Sequence, residues 1–185
     1  DPMLAAGVSG LKREGRGRSS DYVRTGTSVY REAARACLEG AFSPARANAW
    51  MERLESVFNR GFWKGGYYLG VTWGEWSGSA NSRAALLKIH IAKVGNFYRK
   101  NGVAEICLEA GALSTGQTIL IAGPTTGAVR VEVKAMRKET EEGMVPVESA
   151  GKGETVYIVV PEQVRRRDKV YLLRPRRLED AAGNN

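Results

Sequence analysis

Two hydrophobic rhythms divide the chain. In the first sixty or so residues apolar positions recur at three- and four-residue steps. Tyr22, Val23, Gly26, Val29, Tyr30, Ala33 and Cys37 form one such series; Ser19 or Ser20 stands where a cap belongs and Gly40 where the helix would stop, so the pattern predicts an amphipathic helix to about Leu38. A second series, Ala47, Trp50, Met51, Leu54, Val57 and Phe58, follows Ser43 as cap and Pro44 in the first turn, and Gly61 closes it. Ahead of both, Leu4 to Leu11 reads as the tail of a helix, a break at Gly7, and a short strand through Val8 and Leu11.

From Lys88 the rhythm shortens to alternation. Strands are predicted at Lys88–Tyr98, Val103–Leu108, Thr118–Ala122, Ala128–Met136, Thr155–Val160 and Lys169–Leu173. Asn101-Gly102, Gly111, Ser114-Thr115-Gly116, Gly123-Pro124-Thr125-Thr126-Gly127 and Gly151-Lys152-Gly153 supply the turns between them. Six short strands in so few residues argue for a small closed barrel, because closure removes edges that would pair with other chains. Between the two regions Phe62 to Ser82 is rich in Gly, Trp, Tyr and Ser without a period, an irregular connector whose aromatic rings need something to dock on. The fold class is α+β: a helical part over 1–70, a connector over 71–87, a six-stranded antiparallel β-barrel over 88–174, and a fraying tail over 175–185.

Charge adds a partner class. The 185 residues hold 28 Lys+Arg against 20 Asp+Glu, a formal net charge of +8, which points to an anionic partner with nucleic acid first. One histidine and two cysteines, Cys37 and Cys107, give neither a disulfide framework nor a zinc knuckle, so no metal site is expected, both cysteines read as small buried hydrophobes, and the compartment reads as reducing and cytoplasmic. No window is long and apolar enough to span a bilayer, and no apolar run follows a charged start, so neither a membrane partner nor a signal peptide is expected. The length also falls short of the roughly 200 residues that a complete (β/α)₈ barrel requires.

Two basic clusters are candidate binding sites. Lys12, Glu14, Arg16 and Arg18 sit on a glycine-punctuated run that leads into the first long helix. Basic side chains beside a helix start make an anion pocket, and the competing reading is a solvated loop with Glu14 paired to an arginine. Near the end, Arg165, Arg166, Arg167 and Lys169 suit phosphate contacts to RNA, with Tyr98, Arg99 and Lys100 as an added stacking surface; equally, the arginines fit a solvated turn before the closing strand. Catalytic residues are unknown at this level. His90 alternates with Ile89 and Ile91, which places it opposite two isoleucines at the surface, and Glu139, Glu141 and Glu142 read as a solvated run in a loop.

Three ordered motifs carry a resemblance. Gly7-Val8-Ser9-Gly10-Leu11-Lys12-Arg13-Glu14-Gly15-Arg16-Gly17-Arg18-Ser19-Ser20-Asp21-Tyr22-Val23, then Val29-Tyr30-Arg31-Glu32-Ala33, then Phe58-Asn59-Arg60-Gly61-Phe62 with Gly66-Tyr67, resemble the carboxy-terminal part of the collagenase-like peptidase family U-32. The chain departs from that pattern at Arg13, usually apolar in the family, and at Gly17, usually Met. The second half, through Val94-Gly95, Gly102-Val103-Ala104-Glu105-Ile106, Gly123 to Gly127 and Val164 to Tyr171, is similar to a β-barrel of the translation-elongation-factor domain 2 type.

The resemblance implies that residues 1 to about 70 include the last βα unit of a TIM-like barrel whose remainder lies upstream. Lys12, Glu14 and Arg16 would then stand at the carboxyl end of the last barrel strand, where active sites gather. It implies proteolysis, or RNA hydroxylation as in some relatives, with catalysis and a possible iron-sulfur cluster upstream and no cofactor in this chain. The implied partners are a peptide substrate, or RNA such as tRNA or rRNA, together with the upstream domain. A freestanding RNA- or ribosome-binding module without enzymatic activity is the competing expectation.

Overall fold

A computed structural model describes residues 2–59, 62 and 83–176. The chain forms two compact units, Asp1–Ala85 and Leu86–Asn185. Arg60-Gly61 and Gly66-Tyr67 of the third motif, most of the predicted connector and the last residues of the predicted tail lie outside the described residues.

Among its described residues the first unit holds three helices, α1 (Pro2–Ala5), α2 (Ser20–Leu38) and α3 (Pro44–Glu55). α2 stops as its sequence predicts: Gly40 takes φ 66° and donates to the Cys37 carbonyl while the Ala41 N–H reaches Ala36, the paired bonds that satisfy the last carbonyls of a helix. α3 starts as predicted too, the Ser43 side chain accepting from the Arg46 N–H with Pro44 at the first position. It ends sooner than the apolar series suggests, leaving Val57 and Phe58 beyond the helix. The strand expected through Val8 and Leu11 does not form; residues 8–15 are irregular, since a strand needs a neighbour to bond. Val29, Ala36, Trp50 and Leu54 make the small core between α2 and α3. Glu32 clamps it from outside, accepting from both Arg53 nitrogens and from Trp50 Nε1. The Arg53 hydrogen bond holds the Glu32 carboxyl below the ordinary carboxylate range.

Among its described residues the second unit has ten strands: β1 (Leu86–Tyr98), β2 (Val103–Leu108), β3 (Ala112–Ser114), β4 (Thr118–Gly123), β5 (Gly127–Glu132), β6 (Met136–Thr140), β7 (Gly143–Val147), β8 (Ser149–Gly151), β9 (Thr155–Val159) and β10 (Lys169–Pro175). Eight of them form an antiparallel sheet in the order β5-β4-β10-β1-β2-β9-β6-β7, and β3 pairs with β8. The pairing therefore corrects the expected six strands. The predicted strand Ala128–Met136 is two, β5 and β6, separated at Val133–Ala135, and the acidic run is no simple loop, because Glu139 lies in β6 and Glu141-Glu142 form the β6–β7 turn. β10 extends through Arg174 and Pro175, which pair with Leu87 and Leu86 rather than fray.

β1 pairs with β10 along one edge and with β2 along the other, and it bends twice. Its register slips between His90 and Ala92 against β10 and between Val94 and Asn96 against β2. A bulge adds one residue to one strand and rotates the residues beyond it, so Ile91 and Ala92 are both buried while Ile89 is exposed. The second bulge falls at Gly95, where a Cβ would lie 2.4 Å from Glu105 Oε1. Nineteen buried apolar residues from Ile91 to Val170 form one cluster, including Leu113 of β3 and Ala150 of β8, so the short pair closes over the same core as the large sheet. At roughly 25 cal/mol per Å² of apolar surface, such a cluster is the dominant stabilising term of this unit.

Candidate functional site

The first basic cluster is a turn built by its glycines. Gly17 adopts φ 70°, Arg18 N–H bonds the Gly15 carbonyl, and Glu14 Oε1 accepts from the Arg16 N–H at 2.6 Å. The structure thus joins Glu14 to Arg16 through the backbone, leaves Lys12 in solvent, and turns Arg18 onto the Phe58 ring at 4.6 Å. Glu14 pairs with an amide N–H, not with a guanidinium, among the described residues.

Arg13 is the residue whose role the sequence pattern hides. Its guanidinium lies 4.5 Å from the Tyr22 ring centroid and 5.7 Å from that of Tyr30, with Gly26 between them on α2. A Cβ at Gly26 would fall 0.7 Å from Arg13 Nη1, so the absent side chain is what admits the guanidinium. Nη1 is buried with no hydrogen-bond partner among the described residues, and the two tyrosine rings supply its electrostatic compensation through their π faces. The walls of the slot can be read from the sequence, Tyr22, Gly26 and Tyr30 standing at four-residue steps on one helix face, but the side chain that enters it cannot.

The second cluster is also a turn. Asp168 is 5% exposed; its Oδ2 accepts the Arg165 N–H at 2.8 Å and the Thr126 hydroxyl, while its backbone bonds Val94 N–H. Arg167 takes φ 72° and donates its N–H to the Val94 carbonyl. A Cβ on Gly123 would sit 1.8 Å from Asp168 Oδ1. One carboxylate therefore locks the Arg165–Asp168 turn to the β4–β5 hairpin and leaves Arg165, Arg166, Arg167 and Lys169 exposed at one end of the sheet.

Neither cysteine is fully buried. Cys37 lies on α2 and Cys107 on β2, each half-buried and unbridged, with Cys107 Sγ 3.8 Å from Glu105 Oε1. Iron-sulfur clusters take four thiolates in their common forms, and two cysteines in separate units do not fit one. Among the described residues no group of three His, Cys, Asp or Glu is placed to hold a metal ion, and no helix is long and apolar enough to cross a membrane. His90 is exposed as expected, though not opposite two buried isoleucines; its Nε2 stands 3.7 Å from Glu109 and its ring meets Tyr171 edge-on. Lys93 bonds the same carboxylate at 2.6 Å, which holds Glu109 below its ordinary pKa and Lys93 above its own. Tyr98, proposed for stacking, is exposed and hydrogen-bonds Glu105.

Residues 1–77 match the model of peptidase family U32. Over 169 residues the chain is 42% identical to a protein named collagenase from Porphyromonas gingivalis, covering 91% of this chain and 40% of that protein. It is 37% identical over 178 residues to an uncharacterized protease of Methanocaldococcus jannaschii, covering 94% of this chain and 42% of that one. The chain therefore spans about two fifths of the length of these relatives. Among solved structures, the C-terminal domain of a U32 peptidase from Geobacillus thermoleovorans is similar to 45% of this chain at 13% identity and a TM-score of 0.41, with 91% of that domain covered.

Proposed function

We propose, for a chain that belongs to peptidase family U32 through its residues 1–77, that it is part of a collagenase-like peptidase in which bond cleavage is carried out by residues outside these 185 and the β-rich unit recognises the substrate. The observation that carries this reading is the 42% identity to the Porphyromonas gingivalis collagenase, which runs through both units and not the family-matched segment alone. The exposed turn at Arg165–Arg167 and the Lys12–Arg18 turn present cations that would draw an acidic stretch of a substrate toward the protein.

Assaying gelatin and a labelled collagen peptide with the full reading frame that contains these residues, beside the 185-residue chain alone, tests the reading. Cleavage by the former and binding without cleavage by the latter is the expected result. Cleavage by the isolated chain, or none by the full protein, overturns it.

The competing reading, an RNA-directed module or an RNA-hydroxylating relative, draws on the three exposed guanidiniums of the closing turn. It requires affinity for tRNA or rRNA that falls steeply with salt and that Arg165/Arg166/Arg167→Ala weakens, with a shallower salt slope.

A further inference from the structure

Over β1, β2, β9 and β6 the face of the sheet turned away from the core carries side chains that a merely solvated face does not need. Val159 is 70% exposed, Met144 44% and Tyr98 43%, and they lie together around a cleft of about 580 Å³. That volume falls in the range of ligand sites, about 300–1,000 Å³. The cross-strand register orders the face: Glu105 stands opposite Tyr157, Tyr157 opposite Arg137, and Val103 between Tyr98 and Val159.

The two rings are fixed before anything binds. Tyr98 and Tyr157 have centroids 6.3 Å apart at a 44° tilt, and each hydroxyl donates to a carboxylate at 3.3 Å, Tyr98 to Glu105 and Tyr157 to Glu139. Burial first, then the charges of Glu105 and Glu139, push the Tyr157 hydroxyl up to about 12, so it remains a donor at any physiological pH. Arg137 and Glu139 both line the cleft, two residues apart on β6 and therefore on one face, about 6.6 Å apart along the strand. The Arg137 guanidinium has no ion-pair partner among the described residues.

We propose that this cleft binds an extended polypeptide segment that presents an acidic and a basic side chain two residues apart, the acid to Arg137 and the base to Glu139, with its apolar atoms against Tyr98, Met144, Tyr157 and Val159. An extended chain repeats its side chains on one face at the same interval as β6, so both charges are met at once. Met144 is unbranched and adapts to differing neighbours. A nucleic acid fits this face poorly, because its phosphates would meet the carboxylates of Glu105 and Glu139 beside the rings on which its bases would stack. The inference rests on the reading that the β-rich unit recognises polypeptide, and it names the surface and the ligand chemistry.

Fluorescence anisotropy on the 185-residue chain tests it with three labelled probes: a short Gly/Ala/Leu peptide with a central Asp-Ala-Lys, the same peptide with both charges replaced by Ser, and oligouridine of equal length. The charged peptide is expected to bind about fivefold tighter than the Ser peptide and tighter than the RNA. Val159→Asp, at an exposed position, should lose most of that binding with unchanged circular dichroism, and Arg137→Glu should come to prefer a Lys-Ala-Lys peptide. Equal affinity for the charged and Ser peptides, RNA binding that Val159→Asp abolishes, or indifference to both substitutions overturns the proposal. If the full-length protein carrying Val159→Asp cleaves its substrate with unchanged KM, the cleft is not a recognition site but the peptidase reading survives. If the unaltered full-length protein cleaves nothing, that reading fails while the binding result stands on its own.

Discussion

The helical unit and the β-rich unit solve the same problem with unequal means. Among the described residues the first buries four in its helix–helix cluster and leans on rim interactions: the Glu32–Arg53–Trp50 clamp, and arginines laid on Tyr22, Tyr30 and Phe58. The second buries nineteen in one cluster and adds the buried carboxylate of Asp168. Exposed ion pairs contribute about 1 kcal/mol or less and aromatic–cation contacts about 0.5–2, whereas one buried aliphatic side chain contributes about 1.5–3. The β-rich unit should therefore fold by its own core, and the described helices of the first unit should open more readily than the sheet.

The sharpest way to break that contrast is to open a cavity. Ile106→Ala, at a fully buried position of β2, should cost about 2–5 kcal/mol and lower the denaturant midpoint of the β-rich unit, followed by tryptophan-independent amide signals. A loss below about 1 kcal/mol would mean the core is looser than its burial indicates. Next in size is Asp168→Ala, which leaves the Arg165 N–H and the Thr126 hydroxyl without their acceptor and should cost about 1–3 kcal/mol by urea titration. Asp168→Asn, which keeps an acceptor oxygen, should cost less.

Much of this division was legible in the chain itself. Alternation placed β2 at Val103–Leu108 with the bounds it has, and Gly40 and Ser43-Pro44 marked real helix ends. What stayed hidden depends on neighbours rather than on local pattern. The alternating stretch from Ala128 to Met136 has no Gly or Pro at its break, so nothing local separates β5 from β6, and β3 and β8 are too short to show a period. The exposure of Ile89 follows from a bulge that only pairing reveals. The candidate site divided in the same manner. The basic residues were visible as charge, but Arg13 in its tyrosine slot and Asp168 beneath the arginine turn were not, since each acts through a partner distant in sequence: Gly26 and Tyr30 for one, Thr126 and Gly123 for the other.

Smaller effects sharpen the picture of the helical unit. Gly26→Ala improves helix propensity by up to about 1 kcal/mol but evicts the Arg13 guanidinium, a flexible group that can swing into solvent, so the net change in midpoint should stay within about 1 kcal/mol. In an Arg13→Ala background only the favourable part should remain, and the same substitution should then be stabilising. A shift equal in both backgrounds would show that Arg13 does not occupy the slot in solution.

The smallest effect is a pH dependence in the β-rich unit. The Gly151 N–H and then Lys138 hold Glu154 below the ordinary carboxylate value of 4.5. A depressed folded-state pKa gives stability that is present above about pH 4.5 and fades as pH falls through the lower folded value. Thermal midpoints of Glu154→Gln and the unaltered chain should differ at neutral pH and converge in acid. A gap that persists in strong acid would show that the loss is one of packing.

Amide hydrogen exchange on the 185-residue chain tests the central contrast most directly, because it reads both units in one sample. Amides of β1, β2, β4 and β9 should exchange only through global opening of the β-rich unit, while those of α2 and α3 exchange orders of magnitude faster. Equal protection in α2, α3 and the β-sheet would contradict the account.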